Sequence, residues 1–169
     1  MAQARSGTLA VTFPSDTEIL ITRTVNAPRH LMYRAWTTPE LVKKWWPGRR
    51  GEMTVADNDL RVGGAWRFVM TAHGEFQVAF HGTYREIVPT ERIVNTEVME
   101  RPGAATASEE GAVLNTVTFE DTHDGGATLV SIRTEAGSKE VRDMIAKSGM
   151  EGGLREQFEI IEELAASLT

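Results

Sequence analysis

A chain of 169 residues, with 41% apolar and 25% charged residues, has the makeup of a single globular domain long enough to bury a core. Its 18 Lys and Arg against 24 Asp and Glu leave a net charge of −6, which opposes binding to nucleic acid. Cysteine is absent, which excludes disulfides, thiol redox chemistry and thiolate metal sites, and no stretch approaches the roughly eighteen apolar residues of a membrane span.

One domain is expected over residues 1–169, with 1–17 as an N-terminal extension. The first fifteen residues hold a single Arg5 and no apolar run of signal-peptide length, so the expected setting is cytoplasmic. Glu18 to Val25 is rich in β-branched residues and predicts the first strand, broken at Asn26-Ala27-Pro28. Leu31, Met32, Ala35 and Trp36 then recur at helical spacing. A second short helix opens at Thr38-Pro39-Glu40, where Thr38 can cap, Pro39 suits the first position and Glu40 faces the helix dipole favourably. Pro47-Gly48 ends it.

Beyond Gly51 the pattern is β. Strands are expected near Glu52 to Asp57, Ala65 to Ala72, Phe76 to Val88, Arg92 to Glu100, Ala112 to Asp121 and Ala127 to Ala136. Short turns at Ala72-His73-Gly74, Val88-Pro89-Thr90 and Asp124-Gly125-Gly126 imply an antiparallel meander, while Arg101 to Gly111 reads as a long hairpin tip. Helix returns over Ser138 to Lys147, and again after Gly152-Gly153. There Leu154, Phe158, Ile161, Ala165 and Leu168 form an apolar stripe. Such a stripe needs an apolar partner, and a one-sided antiparallel sheet supplies it. The fold class is therefore α+β: a curved, mainly antiparallel sheet of about seven strands around a long C-terminal helix, with two short helices after the first strand.

Two motifs stand out: Trp45-Trp46-Pro47-Gly48, and Asp59-Leu60-Arg61-Val62-Gly63-Gly64 followed by Trp66. Tryptophans gathered in this way form either a pocket wall or a wedge between helices and sheet. Together with Ile21-Thr22-Arg23, Asn26-Ala27-Pro28, Ala35-Trp36-Thr37-Thr38-Pro39-Glu40-Leu41, Gly82-Thr83-Tyr84-Arg85-Glu86-Ile87, Thr116-Val117-Thr118-Phe119 and Ser148-Gly149-Met150-Glu151-Gly152-Gly153, their order and spacing carry a resemblance. The chain resembles the homologues of the activator of the ninety-kilodalton heat-shock chaperone ATPase. That family lies within the START, polyketide cyclase and birch-pollen-allergen-like (SRPBCC, helix-grip) superfamily.

The resemblance implies a deep cavity between sheet and helix that holds lipids, polyketides or similar apolar ligands, with chemistry on them in some branches. It also implies a chaperone-associated stress-response role, although 169 residues leave no room for the second domain of the co-chaperone that names the family. Strand alternation puts Trp66, Phe68 and Met70 on one face, expected to look into the cavity. By the same logic Phe80, Tyr84 and Phe119 line it, Trp45 forms a wall, and Met144, Met150, Leu154 and Phe158 close it from above. Arg61 is the candidate for a ligand carboxylate, with a surface pair to Asp59 as its alternative.

The four histidines fall in different elements, so neither a metal nor a cofactor is expected. Catalysis, the alternative to simple binding, requires two or more of Arg61, His81, Tyr84 and Glu86 to meet in one pocket. A small apolar ligand is the expected partner. A second copy of the chain and a chaperone remain open.

Overall fold

A computed structural model describes residues 9–72, 76–100, 111–122 and 125–168. Arg101 to Glu110, where a hairpin tip is expected, together with His73, Gly74, Glu75, His123 and Asp124, lie outside them. So does the side chain of Phe76.

The elements run β1 (Ala10–Thr12), β2 (Glu18–Val25), α1 (Arg29–Thr37), α2 (Pro39–Trp45), β3 (Glu52–Asn58), β4 (Ala65–Ala72), β5 (Phe76–Val88), β6 (Arg92–Glu100), β7 (Val113–Asp121), β8 (Thr128–Glu135), α3 (Lys139–Ala146) and α4 (Met150–Ser167). The strands form one antiparallel sheet in the order β1-β2-β8-β7-β6-β5-β4-β3. Eight strands among the described residues agree with the sheet of about seven expected, the additional one being β1. Part of the N-terminal extension, Ala10–Thr12, pairs with the edge of β2 through Val11 opposite Ile21. Three residues are too few for a period-two pattern to declare itself.

The two faces of the sheet separate by alternation. On β2, Ile19, Ile21, Arg23 and Val25 are buried against the helices, and the ladder carries this face across the sheet: Ile21 opposite Ile132, Ile132 opposite Val117, Val117 opposite Ile93. The apolar stripe of α4 meets it as the sequence requires, with Phe158, Ile161 and Ala165 buried. Helices α1 and α2 fill one end of this face. Thr37 Oγ1 donates to the Tyr33 carbonyl inside the last turn of α1, and Pro39 stands at the start of α2. No helix among the described residues is long and apolar enough to cross a membrane.

Candidate ligand-binding site

At the α1–α2 end, aromatic rings account for most of the space. Trp36 stacks at a tilt on Trp45 at 4.8 Å and meets Phe119 edge-on at 5.7 Å and Phe158 at 6.2 Å. Trp46 sits edge-on to both Phe68 and Phe80 at 5.6 Å, and Phe68 is 5.0 Å from Trp66. The indole donors go to backbone: Trp45 Nε1 to the Ala35 carbonyl at 2.9 Å, Trp66 Nε1 to the Thr96 carbonyl at 3.1 Å. Buried indoles satisfied by main chain act as wedges that hold α1 and α2 to the sheet.

A hollow beneath α4 is lined by Trp36, Trp45, Leu154, Gln157, Phe158 and Ile161, and its volume is about 10 Å³. That is room for one water. It falls far short of the ligand-sized cavity expected from the resemblance, because the rings of Trp36, Trp45 and Phe158 interlock where space was anticipated.

At the margin of that cluster the packing loosens. Phe68, Met70, Phe80, Met150 and Leu154 are half-buried although they lie on the helix-facing side of the sheet or the sheet-facing region of α4. Helix α3 has an apolar side but no buried residue, and Met99 and Met144 are each 62% exposed. Met144 was expected to close the site and instead faces solvent.

Tyr84 is buried, and its hydroxyl donates to Asn58 Oδ1 at 2.6 Å, while Asn58 Nδ2 donates to the Thr37 carbonyl at 2.7 Å. Burial raises the Tyr84 phenol well above its ordinary pKa, and Tyr33 adds to the effect. Arg61 sits in the β3–β4 turn, exposed and paired with Asp59 at 2.9 Å. Glu86 pairs with exposed Arg92, and His81 binds Glu100 on the opposite face of the sheet from Phe80. The four residues on which catalysis depended therefore do not converge.

A polar group that sequence reasoning missed does converge. The register places Thr134 opposite Asn115 and Asn115 opposite Asn95, and alternation puts Glu97 on the same face one step along β6. Thr134 Oγ1 donates to Asn115 Oδ1 at 2.7 Å, and Asn115 Nδ2 donates to Glu97 Oε1 at 2.8 Å. The signal available in the sequence was the run Ile93-x-Asn95-x-Glu97-x-Met99, polar positions on a face that begins apolar.

The model of a known family, the Activator of Hsp90 ATPase homolog 1-like proteins, matches residues 26–166. The chain belongs to this family. Among solved structures, a protein from Rhodobacter sphaeroides is similar with a TM-score of 0.83 and 22% identity, covering 95% of this chain and 100% of that one. One from Chromobacterium violaceum is 29% identical, with a TM-score of 0.72 over 88% of this chain and 97% of its own. A third, from Mycobacterium smegmatis, is 21% identical at a TM-score of 0.81 over 96% of this chain and 99% of its own. These similarities support the helix-grip arrangement of sheet and C-terminal helix. No curated protein matches the chain.

Proposed function

We propose that this protein binds a small apolar ligand between the helix-facing side of β4–β7 and the start of α4. The observation that carries this reading is a contrast in packing within one face. Where α1 and α2 cover it, the side chains interlock. Along β4, β5 and the first turns of α4, Phe80, Met70, Met150 and Leu154 keep accessible surface, and α3, which packs on β2 and α4, buries nothing.

Apolar surface left partly wet at the centre of a domain is stabilised when a ligand covers it, at roughly 25 cal/mol per Å². The small hollow at Trp45 and Phe158 means that a ligand enters by moving side chains. Met70, Met99 and Met150 suit that demand, since an unbranched thioether repacks with little strain. Trp45, Trp66, Phe119 and Phe158 then form the fixed wall, and Met70, Phe68, Phe80, Met150 and Leu154 the adaptable one.

The test is an NMR titration of methyl-labelled methionine with toluene, together with thermal melts. Saturable shifts at Met70, Met99 and Met150 and a rise in melting temperature are expected. Unmoved methyl signals and an unchanged melt would sink the proposal.

A further inference from the structure

Glu97 is the ionisable side chain on the helix-facing side of β6, and its surroundings are specific. One carboxyl oxygen, Oε1, is held by the Asn115 amide at 2.8 Å, and that amide is itself oriented by the Thr134 hydroxyl at 2.7 Å. The donors run one way, Thr134 to Asn115 to Glu97, so Oε1 is fixed as an acceptor. The other oxygen, Oε2, has no hydrogen-bond partner among the described residues, and Glu97 as a whole is only half-buried.

On the neighbouring strand no side chain stands opposite Glu97. The register that pairs His81 with Val98 and Tyr84 with Asn95 sets Gly82 opposite Glu97. A Cβ at Gly82 would lie 1.9 Å from the Thr96 carbonyl oxygen and 2.7 Å from Trp66 Nε1, so no larger residue fits there. The remaining neighbours along this face, Met99 on β6 and Val113 on β7, are apolar and half-buried or exposed. A carboxyl group in such a place is costly unless something pairs with it.

We propose that Glu97 Oε2 reads the polar head of the ligand, an uncharged hydroxyl or carbonyl oxygen on an otherwise apolar molecule. This deepens the reading of the preceding subsection and rests on it. Burial favours the protonated acid at Glu97, and with Oε1 accepting from Asn115 the proton belongs on Oε2, where it can be donated to the head group. An anionic head is disfavoured, since it would meet a carboxyl group with no neutralising cation.

Four probes with one ring separate the possibilities: toluene, benzyl alcohol, acetophenone and benzoate, each titrated against methyl-labelled methionine. Toluene should bind, benzyl alcohol and acetophenone should bind roughly three- to tenfold more tightly, and benzoate more weakly than toluene. In Glu97→Leu the advantage of alcohol and ketone should vanish while toluene is retained.

Glu97→Gln guards against a leucine variant that fails to fold. Its amide oxygen can still accept from Asn115 and its N–H2 can still donate, so acetophenone should keep its advantage and benzoate its handicap. Wild-type protein that binds all four probes equally, or a Leu variant that still prefers the alcohol and ketone, would overturn the inference and leave apolar binding intact. So would Glu97→Gln losing the preference for acetophenone over toluene. Loss of binding by every probe would overturn apolar binding itself, and this inference with it.

Discussion

Arg23 and Glu162 face each other at 3.7 Å beneath the long helix, and Arg23 is only 4% exposed. The guanidinium lies 5.6 Å from the centroid of the Phe158 ring, and its Nε and Nη1 atoms have no hydrogen-bond partner among the described residues. Glu162 also accepts from the Asn26 backbone N–H at 2.7 Å, so one carboxylate ties α4 both to β2 and to the turn before α1. Removing Glu162 leaves a buried charge facing an aromatic ring.

Glu162→Leu should therefore cost about 3–5 kcal/mol, whereas replacing both partners, Arg23→Met with Glu162→Leu, should recover most of it. Urea melts of the two single variants and the double variant measure this. A Glu162→Leu protein as stable as wild type would show that the pair has no structural weight.

Two glycines on opposite sides of the steric limit give a matched comparison. Gly82→Ala forces a methyl group to 1.9 Å from the Thr96 carbonyl and against the Trp66 indole, so a loss of about 1–3 kcal/mol is expected, with a changed near-ultraviolet signal from Trp66. Gly137→Ala meets nothing within 4 Å and should be neutral or gain about 0.4–1 kcal/mol by restricting the unfolded chain. Equal effects at the two sites would contradict the packing described for β5.

Glu97 predicts a pH dependence of stated sign. Its carboxyl is raised above the ordinary value of 4.5, by burial first, with the Asn115 hydrogen bond opposing. A raised acid contributes stability that is fully present below the unfolded pKa and is lost as pH rises through the folded one. Glu97→Gln has no proton to lose. Its stability should gain on wild type as pH rises from about 4.5 towards neutrality, read from urea midpoints across the series. Parallel curves would show that the carboxyl is not held in an apolar setting.

Much of this fold could be read from the chain because its signals are local. Ala65 to Ala72, Phe76 to Val88 and Arg92 to Glu100 alternate cleanly and end at turn residues, and those bounds match β4, β5 and β6. Phe158, Ile161 and Ala165 are buried as their spacing requires. What escaped depends on pairing between distant strands. Asn95 and Glu97 read alone belong to a solvated face; only the ladder through Val117 and Ile132 shows that they look towards the helices. Arg23 escaped for the same reason, since nothing in Thr22-Arg23-Thr24 announces the Glu162 that joins it from α4. The tryptophans were visible at once, but whether an indole bounds an open cavity or fills it depends on the rings it meets.

Three residues beyond Glu97 on the same strand, Glu100 points to the opposite side of the sheet and carries the opposite pH signature. Arg67 grips it with two bonds, Nε to Oε2 at 2.8 Å and Nη2 to Oε1 at 2.9 Å, and His81 Nδ1 lies 3.0 Å from Oε2. The Arg67 bonds first, and then that of His81, hold the Glu100 carboxyl below its ordinary value of 4.5 against the opposing effect of burial. A depressed acid contributes stability that is present above the unfolded pKa and lost as pH falls through the folded one. Arg67 is 42% exposed, so solvent screening reduces the energy, and Glu100→Gln should cost about 1–2 kcal/mol at neutral pH. Below pH 4.5 that deficit should close, because wild type then binds the proton that removes its own advantage. The two glutamates thus make opposite forecasts from one experiment: in urea melts over the same pH series, Glu97→Gln gains on wild type as the solution becomes neutral, and Glu100→Gln gains on it as the solution becomes acid. If both variants trend the same way, the assignment of these side chains to opposite faces of β6 is wrong.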